Sequence, residues 1–89
     1  MSAGWTLLFT KKAIKDSELI ESSGLSQKTQ ELLDILKINP FQNPPPFEKL
    51  VGNLSGVYSR RINIKHRLVY SIAIDEKLVT ILRMWTHYE

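Results

Sequence analysis

The 89-residue sequence predicts a single α+β domain, with two helices packed on one face of a mainly antiparallel sheet. Three observations carry that reading. The first half of the chain holds two stretches with helical spacing of apolar residues, and the second half alternates with period two. All four prolines lie between the halves, from Pro40 to Pro46. A chain of this length has material for one core only, so residues 1–89 are read as one domain.

Trp5, Leu7 and Phe9 alternate with Thr6 and Leu8 and read as a short buried strand. Thr10 offers a side-chain oxygen to the free amides of a following helix, which runs from about Lys11 to Ser22 and ends at Gly24. Ser26 is the N-cap candidate for a second helix, whose face is built from Leu32, Leu33, Ile35 and Leu36. Pro40 stops it, because proline drives the preceding residue out of the helical region. Asn39 to Pro46 then forms an extended, stiffened connector. The turn Asn53-Leu54-Ser55-Gly56 leads into a strand from Val57 to about Ile64. A second strand follows from His66 to Ile74, and after Asp75-Glu76 a third from Lys77 to about Trp85.

Alternation also assigns faces. In the strand His66–Ile74, Leu68, Tyr70, Ile72 and Ile74 share the more apolar face, which should meet the helices. Arg67 then points to the uncovered face. If Ile62 and Ile64 join the core, Arg61 turns to the same uncovered face. Two guanidiniums there form a phosphate cradle, since each can fork onto two oxygens.

Composition sets bounds on function. With 43% hydrophobic and 24% charged residues the chain is an ordinary globular one, and no apolar run is long enough to span a membrane. The start, Met1-Ser2-Ala3-Gly4, lacks the basic and apolar blocks of a signal peptide. Absence of cysteine removes disulfides and thiolate metal sites, which fits a reducing cytoplasm. A net charge of +3 suits RNA or an acidic protein partner without selecting either. His66 and His87 have no Asp or Glu neighbours at ligand spacing, so no metal or other cofactor is expected.

Glu48 follows three prolines and Phe47, in a backbone of little freedom, so its carboxylate is held at low entropic cost. The chain ends Met84-Trp85-Thr86-His87-Tyr88-Glu89, an aromatic tail with one histidine. A carboxylate, a histidine and two arginines are the set needed to cleave RNA without metal. The first takes the 2′-hydroxyl proton, the second protonates the departing 5′-oxygen, and the arginines offset phosphate charge. The same residues also fit a bland account, with Glu48 and His87 solvated, Trp85 and Tyr88 packing a strand end, and His66 structural.

The run Asn53-Leu54-Ser55-Gly56-Val57-Tyr58-Ser59-Arg60-Arg61-Ile62, followed by His66-Arg67-Leu68-Val69-Tyr70, resembles the signature of the YoeB/Txe toxins of the RelE/ParE superfamily. The ending Thr86-His87-Tyr88, and Asn39-Pro40-Phe41 before a proline-bearing loop with a glutamate, are similar too. The first helix matches least, with Lys11-Lys12-Ala13-Ile14-Lys15-Asp16 where the family favours Trp and Asp. The resemblance implies a RelE-like fold and a ribosome-dependent mRNA endoribonuclease. It implies Glu48 as general base, His87 as general acid and Arg67 as stabiliser of transition-state charge. Arg61, Tyr88 and Lys49 are the implied substrate contacts. The implied partners are the ribosome with its mRNA, a YefM/Phd-like antitoxin with an acidic segment, and a second copy of the chain. Two departures stand out: Val51 replaces a lysine frequent three residues after the glutamate, and Glu89 extends the usual terminal tyrosine. A ParE-like gyrase-directed toxin and a catalytically inactive binding module of the same fold are the alternatives.

Overall fold

The computed structural model describes residues 4–50 and 56–85. In chain order the elements are β1 (Thr6–Phe9), α1 (Lys11–Ser22), α2 (Ser26–Ile38), β2 (Glu48–Lys49), β3 (Val57–Arg61), β4 (Arg67–Ala73) and β5 (Leu78–Arg83). The five strands form one sheet in the order β1-β5-β4-β3-β2. The pairs from β2 to β5 are antiparallel, while β1 runs parallel to β5, with Leu7 opposite Val79. Parallel pairing of β1 with the last strand is the topological link that closes the fold.

Helix α1 has the bounds that its sequence implies. The Thr10 hydroxyl oxygen accepts from the Ala13 amide at 3.1 Å and donates to the Leu82 carbonyl at 2.9 Å, so one side chain both caps the helix and ties it to β5. Gly24 ends the turn after it at φ +80, a left-handed conformation that disfavours side chains. For α2 the expected cap is corrected. Ser26 is already the first helical residue, and Leu25 before it gives no side-chain cap bond. Ser23 instead secures the junction by donating its hydroxyl to Ile20.

The helices cover one sheet face. Ala13 and Ile20 of α1, and Leu32, Leu33 and Leu36 of α2, pack with Leu68, Tyr70, Val79, Ile81, Ile62 and Met84. Truncating a buried Leu such as Leu36 would cost roughly 2–5 kcal/mol, from lost transfer energy plus the cavity. Three expectations about the strands are corrected. The first strand is not buried: as an edge strand it leaves Leu8 and Phe9 partly exposed, although Trp5 and Leu7 do pack on the core. Ile64 stays out of the core because the chain turns at Asn63, whose side-chain oxygen accepts the amides of Lys65 and His66. Ile74 lies outside β4 in the next turn, where its carbonyl accepts from Lys77.

Asp16 interrupts the apolar stripe of α1 and is nevertheless buried. Its carboxylate accepts from Arg83 Nε at 2.8 Å and Nη2 at 3.3 Å, and from the amides of Met84 at 2.9 Å and Trp85 at 3.2 Å. Burial pushes the carboxyl up, but hydrogen bonds from Arg83 and Met84, the Arg83 charge and the Trp85 amide outweigh it. The net result lies below the usual 3.8. A lowered folded value means the carboxylate stabilises the fold fully above that ordinary value. The contribution fades as pH falls from there through the folded value. Asp16→Ala should therefore lower stability by about 2–3 kcal/mol near neutrality in urea unfolding, as expected for several charge-assisted bonds lost at once. Asp16→Asn should flatten the acid limb of the stability–pH curve.

Candidate active site

The site is built on the helix-free face. Glu48 stands opposite Ser59, Ser59 opposite Val69, and Arg61 opposite Arg67, so strand pairing places these side chains on one face. Pro46, Phe47, Glu48, Ser59, Arg61 and Arg67 line a shallow cleft of about 180 Å³. Ser59 is buried in its floor, whereas Arg61 is exposed and Arg67 half-buried at its rim. The Arg67 guanidinium donates to Glu48 Oε1 at 3.0 Å, with the carboxylate 67% exposed. That degree of exposure makes the pair a weak stabiliser and leaves the carboxylate open to a ligand.

Glu48 is placed by its backbone. Sequence periodicity does not reveal β2, which has only two residues and follows a run of prolines. Its hold on β3 consists of the pairs Glu48–Ser59 and Lys49–Tyr58, extended by a bond from the Leu50 amide to the Val57 carbonyl at 2.9 Å. Lys49, paired with Tyr58, lies on the side of the strand away from Glu48 and does not line the cleft.

Upstream of Glu48, the connector is gripped by a residue that the sequence reading passed over. Arg60 is 1% exposed and sits on the helix side of β3. Its Nε donates to the Tyr70 hydroxyl at 3.0 Å, Nη1 to the Pro45 carbonyl, and Nη2 to the carbonyls of Pro40 at 3.0 Å and Gln42 at 2.9 Å. The guanidinium carbon lies 4.8 Å from the centre of the Phe47 ring. Burial pushes the Tyr70 hydroxyl up, only partly offset by the Arg60 charge and hydrogen bond, so it remains protonated. A signal was available: Arg60 is two residues from Ile62, so alternation puts both on the core side.

Just past the end of β5, Trp85 stacks on His66, with ring centres 3.8 Å apart and planes at 18°. This stack and the Asp16 bonds fix the chain up to residue 85. His87 and Tyr88, and with them Val51 and Glu89, lie outside the described residues. Among the described residues no three His, Cys, Asp or Glu side chains gather to hold a metal, and no helix is long and apolar enough to cross a membrane.

Two helices on a five-stranded mixed sheet, with a carboxylate–guanidinium pair on the helix-free face, make an α+β fold of the RelE-like class. Residues 9–88 match the family of YoeB-like toxins of bacterial type II toxin–antitoxin systems, and the chain belongs to that family. Toxin YoeB of Escherichia coli K12 is 40% identical over 62 residues, covering 70% of this chain and 71% of its own. Among solved structures, the YoeB/ParE toxin from Agrobacterium tumefaciens superposes with a TM-score of 0.83 at 27% identity, over 93% of this chain and 99% of that one. YoeB in the YoeB–YefM complex from Staphylococcus aureus gives 0.76 at 32% identity, over 94% and 98%. YoeB from the same organism has also been solved as a dimer.

Because the Glu48 side of the Glu48–Arg67 pair is open to solvent, the pair should contribute little to the fold. Glu48→Gln and Arg67→Ala should each shift unfolding stability by no more than about 1 kcal/mol. A loss several times larger in urea titrations would mean that the pair is structural.

Proposed function

We propose that this toxin is a metal-independent endoribonuclease that cuts mRNA on the ribosome. The observation that carries the reading is the ion pair of Glu48 with Arg67, beside Arg61, in a cleft open to solvent. Glu48 takes the proton of a 2′-hydroxyl, whose oxygen attacks the adjacent phosphorus. The 5′-oxygen leaves with a proton from His87, and a cyclic phosphate remains on the upstream fragment. Substrate phosphate arriving at Arg67 competes with the carboxylate for the guanidinium, which then balances the charge developing at phosphorus. Arg61 holds the same or the next phosphate as a fork. Tyr88 stacks on a base, and any contact that Lys49 makes with RNA lies outside the cleft. The Glu48–Arg67 arrangement favours this chemistry over a gyrase-directed ParE-like role.

The partner follows from the same surface. YoeB of Staphylococcus aureus is found in complex with YefM. For the present chain we propose a cognate antitoxin whose acidic segment covers Arg61 and Arg67, because burying those cations without carboxylates would be costly. A homodimer and a cytoplasmic location, where ribosomes are, complete the proposal.

The test is in vitro translation with mapped mRNA 5′ ends. Wild-type protein should generate discrete new ends, His87→Ala should not, and Glu48→Gln should cut about 10²–10⁴-fold more slowly. A 2′-deoxynucleotide at the cut position should block cleavage; normal cutting there would eliminate attack by the 2′-hydroxyl. Intact mRNA throughout, together with harmless expression in cells lacking the antitoxin, would leave an inert binding module as the better account.

A further inference from the structure

Arg60 has no part in the acid–base scheme, yet it is the most completely buried charge among the described residues, and all but one of its side-chain hydrogen bonds go to the segment that ends at Glu48. Prolines explain why an arginine is needed there. Pro40, Pro44, Pro45 and Pro46 carry no amide hydrogen, so the connector cannot be held by a strand ladder. What it offers is carbonyl oxygens. A guanidinium presents five donors in one plane and can collect several carbonyls from different directions; an ammonium cannot match that fork. Arg60 takes the carbonyls of Pro40, Gln42 and Pro45, and its guanidinium carbon lies over the ring of Phe47, the residue before Glu48. Phe47 in turn meets Tyr58 edge-on at 5.8 Å. Tyr70, the remaining partner, anchors the guanidinium to β4.

The two ends of this arrangement share one strand. Arg60 points to the helix side of β3 while its neighbours Ser59 and Arg61 face the cleft. Glu48 pairs with Ser59, so the connector is clamped from beneath by Arg60 and passes its carboxylate over the edge onto the opposite face. Exposed as it is, the Glu48–Arg67 bond cannot set the position of the carboxylate. The backbone must do that, through a two-residue strand on one side and Arg60 on the other.

We infer that Arg60 is a positioning residue for Glu48: it locks the proline connector so that the carboxylate stands at hydrogen-bond distance from Arg67. The inference rests on Glu48 being the general base, and its test separates the two. Arg60→Lys keeps the charge and loses the fork; Phe47→Leu keeps the fork and loses the ring face; both are compared with wild type on ribosomes programmed with a mapped mRNA, under single-turnover conditions. Expected for Arg60→Lys is a fall of at least tenfold in the saturating rate, with the half-saturating concentration changed less than threefold, and for Phe47→Leu a smaller fall of the same kind. Hydrogen exchange of the Leu50 amide should quicken at least tenfold in Arg60→Lys, while amides of β4 and β5 exchange as in wild type. General damage to the fold would instead quicken all of them. A folded Arg60→Lys with wild-type rate and wild-type Leu50 exchange overturns the inference. Should Arg60→Lys fail to fold, Phe47→Leu decides alone: an unchanged rate and unchanged exchange overturn it. If wild-type protein does not cut RNA, the nuclease reading fails, and exchange at Leu50 still judges the connector lock.

Discussion

The structure depends on a buried guanidinium, that of Arg60, which pairs with no carboxylate among the described residues. Removing a cation from water costs several kcal/mol even after relaxation, and Arg60 recovers this through four hydrogen bonds and one aromatic face. A set of apolar side chains of similar volume could fill the same space, and buried ion networks are often no more stabilising than such a set. What the apolar version could not do is satisfy three carbonyls of a proline-rich segment. Left unpaired, the buried Pro40 carbonyl would itself be destabilising, and the part-buried carbonyls of Gln42 and Pro45 would add to the cost. The prolines and the arginine are therefore mutually required: stiffness without a ladder needs a donor from outside, and a buried donor array needs unpaired acceptors.

Much of this architecture can be read from the residues. Thr10 announces the start of α1, and Pro40 the end of α2, because each acts through local backbone chemistry. Period-two alternation through Leu68 and Tyr70 sends Arg67 to the helix-free face, and the burial of Ile62 does the same for Arg61. Where reading stops, the reason is physical. β2 has two residues, too few to show a period, and exists because β3 offers it a partner. Ile64 is apolar yet 86% exposed, since the Asn63 turn takes the chain off the sheet before the alternation reaches it. Arg60 is hidden by the ordinary expectation that arginine faces water, although its phase with Ile62 says otherwise. Asp16 is hidden in the same manner within the stripe of Ala13 and Ile20.

These two overlooked residues have a common logic. Two chain segments leave regular structure on the way to residues of the proposed site, one as the connector ahead of Glu48 and the other at the end of β5. Each is gathered by one buried charge reaching across from a different element. Arg60, a cation, collects carbonyls of the connector; Asp16, an anion, collects the amides of Met84 and Trp85 together with Arg83. The polarity of each charge fits the backbone groups on offer. Prolines leave acceptors, and a strand end leaves donors.

Such a division separates the groups that hold from the groups proposed to react. The holding charges are buried, where a low dielectric strengthens their bonds and water cannot compete. The cleft charges proposed to react, Glu48 and Arg67, are paired at 3.0 Å with the Glu48 side chain largely open to solvent, so on that proposal their bond can give way to one with an incoming phosphate. Were Glu48 fixed instead by a strong buried pairing, the same bond would oppose its release to accept a proton. A weak pair on a firmly held backbone avoids that conflict, because position is settled on one face of β3 and chemistry is left free on the other.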